Sequence, residues 1–279
     1  MPDTVTASIN GRAADQISIQ DRGLLYGQTL FETIAVVDQQ PLLLGPHLQR
    51  LQSGCDALQI GLDSDLLTKE VTEFCQQQDA EKWVLRVTLS MGVGGRGYKN
   101  PDAPEPVRIL SRHSYPDHPS ELWEQGITLG LVDVRLARQP LLAGIKHGNR
   151  LEQIIARSQW QSGWHEALVR DDQDHVIEGT QSNLFIRNGE QISTPDLRNC
   201  GVAGVMREQV LQIANKIGAS TRIVSLSSAD IIAADEVFLS NSLVGVWPVK
   251  TFMDRQYDDF NACHKLLKLL QEDGSVPTI

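Results

Sequence analysis

Residues 142–153 read Leu-Ala-Gly-Ile-Lys-His-Gly-Asn-Arg-Leu-Glu-Gln, and the reading of the whole chain turns on Lys146 within them. Gly144 and Gly148 flank the lysine and Ile145 precedes it, so it does not sit in a polar run. Partial burial weakens an amine's preference for its charged form, and that is the condition under which lysine attacks carbonyl groups. By itself the segment is a weak signal, since most lysines are simply solvated, and its neighbours have to decide.

On the C-terminal side, Asn149 with Glu152 three residues on has the form of a capping box. It predicts a helix whose inward stripe is Leu151, Ile154, Ile155 and Ser158. Strands are expected over residues 166–170, 176–178 and 184–187, the last turning at Asn188-Gly189. Gly201-Val202-Ala203-Gly204-Val205-Met206-Arg207 then leads into a helix to about Ile217. Glycines just before a helix leave the first-turn amides of Val205 and Met206 open to an anion, although a turn without a ligand has the same sequence. Strands at 222–224, 236–240 and 246–251 and helices near 229–233 and 260–270 complete this half.

On the N-terminal side a strand is expected at 127–134, preceded by the turn formers Ser114-Tyr115-Pro116-Asp117-His118-Pro119-Ser120. Residues 114–126 therefore read as a linker between a smaller N-terminal α/β domain, 1–113, and a larger C-terminal domain, 127–279, that carries Lys146. Strands are expected over 5–9, 29–37 (hairpinned to 42–44), 83–90 and 107–111. From His47 the period becomes helical: Leu48, Leu51, Cys55 and Leu58 form one stripe, with Arg50 on the other side. Gly92-Val93-Gly94-Gly95-Arg96-Gly97 matches G-x-G-x-x-G, but the residues that follow, Tyr98-Lys99-Asn100-Pro101, cannot open the helix that dinucleotide binding needs. The segment reads as a flexible loop over a site.

With 279 residues the chain exceeds one hydrophobic core, and two domains with a cleft follow. The net charge of -10, with scattered Lys and Arg, excludes a broad nucleic-acid face and leaves a small anionic substrate possible. Cys55, Cys75, Cys200 and Cys263 lack zinc-site spacing and read as reduced thiols, and no metal site is expected. The N-terminus has no leader pattern and no apolar run reaches the roughly 20 residues of a membrane span, so a cytoplasmic protein without membrane partners is expected. Walker A, G-x-S-x-G and H-E-x-x-H patterns are absent.

Six segments occur in one order: Asp21-Arg22-Gly23 with Tyr26-Gly27 and Phe31-Glu32-Thr33; His47-Leu48-Gln49-Arg50-Leu51; Lys146; Glu178-Gly179 with Ser182-Asn183-Leu184-Phe185; Gly204-Val205-Met206-Arg207; and Phe238-Leu239-Ser240-Asn241-Ser242. Together they resemble the fold-type IV pyridoxal-phosphate enzymes over nearly the whole chain. That group holds branched-chain aminotransferases, D-amino-acid aminotransferases and 4-amino-4-deoxychorismate lyases. GVGGRGY at 92–98 and LAGIKHGNRLEQ at 142–153 resemble the lyase branch.

The resemblance implies a two-domain α+β or α/β fold, like that of D-amino-acid aminotransferase, with pyridoxal 5'-phosphate in the interdomain cleft. It also implies a homodimer and a lyase of folate biosynthesis that converts 4-amino-4-deoxychorismate to 4-aminobenzoate and pyruvate. Lys146 would bind the cofactor covalently and act as base and acid. Arg50, the amides of Val205 and Met206, and Asn241 and Ser242 would meet its phosphate, and Glu178 its pyridine nitrogen. Thr33 would protonate the leaving group and Arg96 or Arg108 would hold substrate carboxylates, though a plain strand threonine and exposed arginines fit the sequence equally. Aminotransferases of the group often carry a tyrosine shortly after the lysine, where this chain has Asn149-Arg150-Leu151. Two other readings are carried: a transaminase of the same fold acting on D- or branched-chain amino acids, and a non-catalytic protein binding pyridoxal phosphate or another anion.

Overall fold

The computed structural model describes residues 7–278. Val5 and Thr6, the start of the strand expected over 5–9, and the N-terminal residues read for a leader lie outside them. Two compact units emerge: residues 7–116 with 145–149, and 117–144 with 150–278.

In chain order the first unit contains β1 (Ala7–Ile9), β2 (Arg12–Ala13), α1 (Arg22–Tyr26), β3 (Thr29–Val37), β4 (Gln40–Pro41), α2 (Leu44–Leu58), α3 (Ser64–Gln76), β5 (Lys82–Ser90) and β6 (Val107–Ser114). The strands form one antiparallel sheet ordered β2-β1-β6-β5-β3-β4. Side chains alternate along a strand, so the register creates two distinct faces. Leu30, Glu32 and Ile34 share one with Leu85, Val87 and Leu89 and with Arg108, Leu110 and Arg112. Phe31, Thr33 and Ala35 share the other with Val84, Arg86 and Thr88 and with Ile109, Ser111 and His113.

The helices pack on the first face. Gly54 of α2 leaves room for Leu30, whose Cδ2 would lie 2.6 Å from a Cβ there, and Glu70 of α3 pairs with Arg108. α2 begins at Leu44, earlier than the expected His47, because Pro46 falls in the first turn, where a missing N–H breaks no helical bond. Its buried positions are His47, Leu51, Gly54 and Cys55, so His47 takes the place expected for Leu48. α3 has no counterpart among the expected elements. Its signals are ordinary ones: the Asp63 carboxylate caps the Leu66 N–H at 2.9 Å, and Leu67, Val71, Phe74 and Cys75 form the buried stripe.

The second unit contains α4 (Glu121–Glu124), β7 (Ile127–Leu136), α5 (Leu151–Ser158), β8 (Glu166–Asp171), β9 (Val176–Gly179), β10 (Asn183–Asn188), β11 (Gln191–Pro195), α6 (Val205–Lys216), β12 (Ser220–Val224), α7 (Ser228–Ala233), β13 (Glu236–Asn241), β14 (Gly245–Phe252), β15 (Arg255–Gln256) and α8 (Asn261–Glu272). Its mixed sheet runs β12-β11-β10-β13-β14-β7-β8-β9, with β15 paired to β14. Near-continuous burial of β8, β9, β10 and β13 marks it as covered on both faces. Phe185 and Phe238 stack at 5.0 Å between centroids in its core.

α5 corrects the expectation made for it. The helix starts at Leu151 with Arg150 as its cap, and no side chain closes it. Asn149 instead donates to the Gly27 carbonyl at 3.3 Å within the first unit, and Glu152 accepts from the Ala137 amide at 2.8 Å. The stripe expected inward points to solvent: Leu151, Ile154 and Ile155 are 72%, 62% and 53% exposed. The buried side is made by Ala156, which packs with Val132, Leu136, Val169 and Ile177, and with Trp160 and Trp164 beside it. A small residue seats this helix against the sheet, and periodicity alone does not say which of two stripes faces in.

Candidate functional site

In the first unit, residues 146–148 lie along the end of β3 that β4 leaves unpaired. The Phe31 N–H donates to the Lys146 carbonyl at 2.9 Å, the Gly148 N–H donates to the Thr29 carbonyl at 2.8 Å, and Leu30 and His147 form an antiparallel bridge. Gly148 is required by this closeness, because a Cβ there would sit 1.9 Å from Thr29 Oγ1. The arrangement sets Lys146 Nζ 4.7 Å from the centre of the Phe31 ring. An aromatic face attracts an amine and fixes where it stands.

On the opposite face of β3, Glu32 is buried and receives both partners that α2 offers. Arg50 Nε donates to its Oε1 at 2.8 Å, Arg50 Nη2 pairs with its Oε2, and His47 Nδ1 lies 2.6 Å from Oε2. Burial by itself would raise the Glu32 carboxyl, but the Arg50 charge and hydrogen bonds, joined by His47, hold it down at about 2. Burial lowers His47 against the pull of Glu32, and Arg50 and Lys146 push the same way. A neutral His47 must carry its proton on Nδ1 to donate to the carboxylate. Arg50 is thus a braced guanidinium and not a loose surface group. Glu32 and His47 stand in the same sequence segments as Thr33 and Arg50, but nothing in the sequence pairs them.

In the second unit the Gly201–Gly204 turn is clamped from two sides. Glu178, buried at the end of β9, accepts the Val202 N–H at 2.8 Å, and Asn183 Nδ2 donates to the Val202 carbonyl at 2.9 Å. Gly144 adds two backbone bonds, donating to Gly201 at 2.9 Å and accepting from Ala203 at 3.0 Å. Gly201 has φ +86°, a conformation that favours glycine, and a Cβ on Gly204 would lie 1.9 Å from Asn183 Oδ1. α6 opens directly from this turn with no side-chain cap. Val205 and Met206 provide the first amides of its positive end, a geometry suited to phosphate. Arg207 turns inward, donating to Thr194 Oγ1 at 3.1 Å and the Pro195 carbonyl at 3.0 Å.

The remaining candidates divide. Thr33 lies two residues from Phe31 on the same face of β3. Asn241 ends β13, where its side-chain oxygen accepts the N–H groups of Leu243 and Val244, both at 2.9 Å, and so forms the turn that holds the half-buried Ser242. Arg96 is exposed in a loop that Arg22 tethers by donating to the Gly97 and Tyr98 carbonyls at 3.0 and 3.3 Å. Arg108 must be corrected as a substrate residue. It lies on the helix-covered face of the sheet, where both its Nε and Nη2 donate to Glu70, at 2.7 and 2.8 Å. Odd and even positions of β6 face opposite ways, and the sequence does not show which parity is covered.

Compared with known proteins, residues 29–252 match the family model described as amino-transferase class IV. An aminodeoxychorismate lyase of Vibrio harveyi is 36% identical over 242 residues, covering 86% of this chain and 89% of the relative. The crystal structure of 4-amino-4-deoxychorismate lyase from Pseudomonas aeruginosa superposes with a TM-score of 0.92 at 43% identity, over 96% of this chain and 98% of that one. The branched-chain amino acid aminotransferase of Escherichia coli, at 21% identity and TM-score 0.83 over 96% of this chain and 93% of that one, shares the fold.

Proposed function

This chain belongs to the class IV amino-transferase family, and from that premise we propose that it is a carbon–oxygen lyase converting 4-amino-4-deoxychorismate to 4-aminobenzoate and pyruvate. The observation that carries the reading is the presentation of Lys146, with its backbone bound to β3 and its amine over the Phe31 ring.

Each unit offers groups of a kind that suits pyridoxal 5'-phosphate: in the first, an amine set over an aromatic ring and a braced arginine; in the second, the buried carboxylate of Glu178 and a helix start with no side-chain cap. Lys146 would bind it through Nζ, Glu178 would hold a proton on its ring nitrogen, and Arg50, the Val205 and Met206 amides, Asn241 and Ser242 would meet its phosphate. When bound, this group supplies an electron sink for the substrate carbon that loses its proton. Lys146 Nζ takes that proton from the amine-bearing carbon and returns it later in the cycle. The ether bond to the enolpyruvyl group breaks, pyruvate leaves, and the ring becomes aromatic; no water or amino acceptor enters the balance. Thr33 would hand a proton to the leaving group. The residues after the lysine favour the lyase over a transaminase: Asn149 is engaged with Gly27 and Leu151 faces solvent, so no phenol stands there.

The protein acts in the cytoplasm, supplying 4-aminobenzoate for folate biosynthesis, and works as a homodimer. The exposed apolar side of α5 supports the last point. The test is incubation of the cofactor-loaded protein with 4-amino-4-deoxychorismate and no keto acid, expecting equimolar pyruvate and 4-aminobenzoate. Absence of both, with glutamate formed from 2-oxoglutarate and a D- or branched-chain amino acid, would replace the lyase by the transaminase.

A further inference from the structure

Glu166 is a buried carboxylate that lies in none of the sequence motifs. It opens β8, and the β8–β9 ladder ends with Leu168 opposite Gly179, so Glu166 stands two residues beyond, where the chain has left β9 and turns toward β10. Its Oε1 accepts the Thr180 N–H at 3.1 Å, the Thr180 hydroxyl at 2.6 Å and the Ala167 N–H at 2.8 Å. Its Oε2 accepts the Gln181 N–H at 3.2 Å and the Ser182 hydroxyl at 2.9 Å. The turn 180–182 is therefore folded around one side chain. A Cβ on Gly179 would lie 2.3 Å from Ser182 Oγ and 3.0 Å from Glu166 Cδ, so there is no slack between carboxylate and turn.

Burial pushes the Glu166 carboxyl above the ordinary carboxylate range, its hydrogen bonds pull it back only in part, and no cation meets it among the described residues. The donors of the turn are what offset the cost of burying it. Three of them are backbone N–H groups that cannot accept, so the amide nitrogen of a glutamine would face at least one donor. The turn joins Glu178 to Asn183, the two side chains that hold Val202 by its N–H and its carbonyl. In the sheet β9 pairs with β8, and β10 with β11 and β13, so among the described residues no strand ladder sets Glu178 against Asn183. That task falls to the turn, which the Gly179 N–H closes on the Ser182 carbonyl at 2.7 Å and Glu166 anchors to β8.

We propose that Glu166 is a positioning residue of the cofactor site: by holding the 180–182 turn it sets the Glu178 and Asn183 side chains against each other and, through Val202, the entry to α6. This rests on the reading of Glu178 and the α6 amides as groups that meet pyridoxal 5'-phosphate, and not on which reaction follows. The Glu166 oxygens are committed to the turn, so the residue acts through its neighbours. Glu236 offers a contrast in the same unit. It is equally buried, but it holds Arg187 and the Ala262 and Cys263 amides at the start of α8, none of which belongs to the turn.

The experiment compares wild type with Glu166→Gln, Glu166→Ala and Glu236→Gln, the last as a control for losing a buried carboxylate as such. Pyridoxal 5'-phosphate affinity is titrated by absorbance, the position of the bound cofactor's visible band is recorded, and amide hydrogen exchange is followed in the cofactor-free protein over residues 178–183 and 202–206. In Glu166→Gln, exchange should quicken at both segments, because an unpaired amide opens the turn locally. Affinity should fall about tenfold, the scale on which supporting partners of a bound group act, and the band should move in the same direction as in Glu178→Gln. Glu166→Ala should exceed Glu166→Gln in each, whereas Glu236→Gln should lose stability to urea with exchange at these segments, affinity and band as in wild type. Affinity within about twofold of wild type in Glu166→Gln overturns the proposal, whether or not exchange quickens. So does an equal loss in Glu236→Gln, which would make the effect one of general destabilisation. If Glu166→Ala does not fold, Glu166→Gln decides alone. If wild type binds no pyridoxal 5'-phosphate, the cofactor reading falls; faster exchange at 202–206 in Glu166→Gln would still uphold the link from Glu166 to α6, and unchanged exchange would end it.

Discussion

Glu32 keeps a charge that burial opposes, and the consequence is a stability that depends on pH in a definite direction. Its carboxyl is held at about 2 against an ordinary 4.5, so its contribution is complete above 4.5 and is lost as pH falls toward 2. His47, lowered by burial from an ordinary 6.5, acts in the same sense. Below 6.5 the unfolded chain binds a proton that the folded chain refuses, and stability falls. Glu32→Gln leaves Arg50 uncompensated and should cost about 3 kcal/mol in urea unfolding near neutral pH, the scale of a broken buried pair. The gap between the two proteins should stay constant down to about pH 4.5 and narrow below it; a gap independent of pH would show that Glu32 is neutral when folded. Lys146 makes the sharper functional test at this scale. Lys146→Ala should lower pyruvate formation by more than the roughly 10²–10⁴ of a general acid–base deletion, because one amine fills several roles. Turnover within tenfold of wild type would transfer the chemistry to another residue.

Among the elements, the entry to α6 was legible and the exit from the lysine segment was not. Gly201 and Gly204 announce a turn before a helix by their own identity, and the structure adds the reason: positive φ at the first and the closeness of Asn183 at the second. Asn149 and Glu152 have the form of a capping box, yet each finds a better partner, Gly27 and Ala137, that is remote in sequence. A cap is a local signal and tertiary contacts override it. The α6 entry yields a prediction. Gly204→Ala would place a Cβ 1.9 Å from Asn183 Oδ1, forcing Asn183 off Val202 and shifting the first-turn amides. Affinity for pyridoxal phosphate, followed by its absorbance, should fall about tenfold or more, the worth of one or two charge-assisted hydrogen bonds. Gly95→Ala, with nothing within 4 Å of the new methyl, should leave it unchanged. Equal affinities in the two variants would remove the α6 amides from the phosphate site.

At the scale of the molecule, the segment order and most helices and strands could be read from the sequence, with α3 and β11 among the exceptions, whereas the parity of strands and helices could not. Arg86 and Arg108 are both arginines on strands of one sheet, and only the register shows that Arg108 meets Glu70 under the helices while Arg86 stacks on the buried Phe31 ring on the opposite face. Residues 145–149 join the first unit although both flanks belong to the second, a pairing between distant segments that no local pattern encodes. α5 poses the same problem with a larger consequence. Its apolar stripe has the spacing of a core face, yet Leu151, Ile154 and Ile155 stand in solvent in the single chain, beside a helix already seated through Ala156. Fully covering side chains of this size is worth roughly 1.5–3 kcal/mol each, enough for a second copy of the chain to profit from burying them. The wild type should therefore sediment at twice the mass of one chain, and Ile154→Asp, which would place a charge in that contact, should move it toward the monomer at micromolar concentration with little change in helix content by circular dichroism. If Ile154→Asp remains a dimer, another surface joins the two copies, and if the wild type is a monomer, the homodimer proposal itself fails.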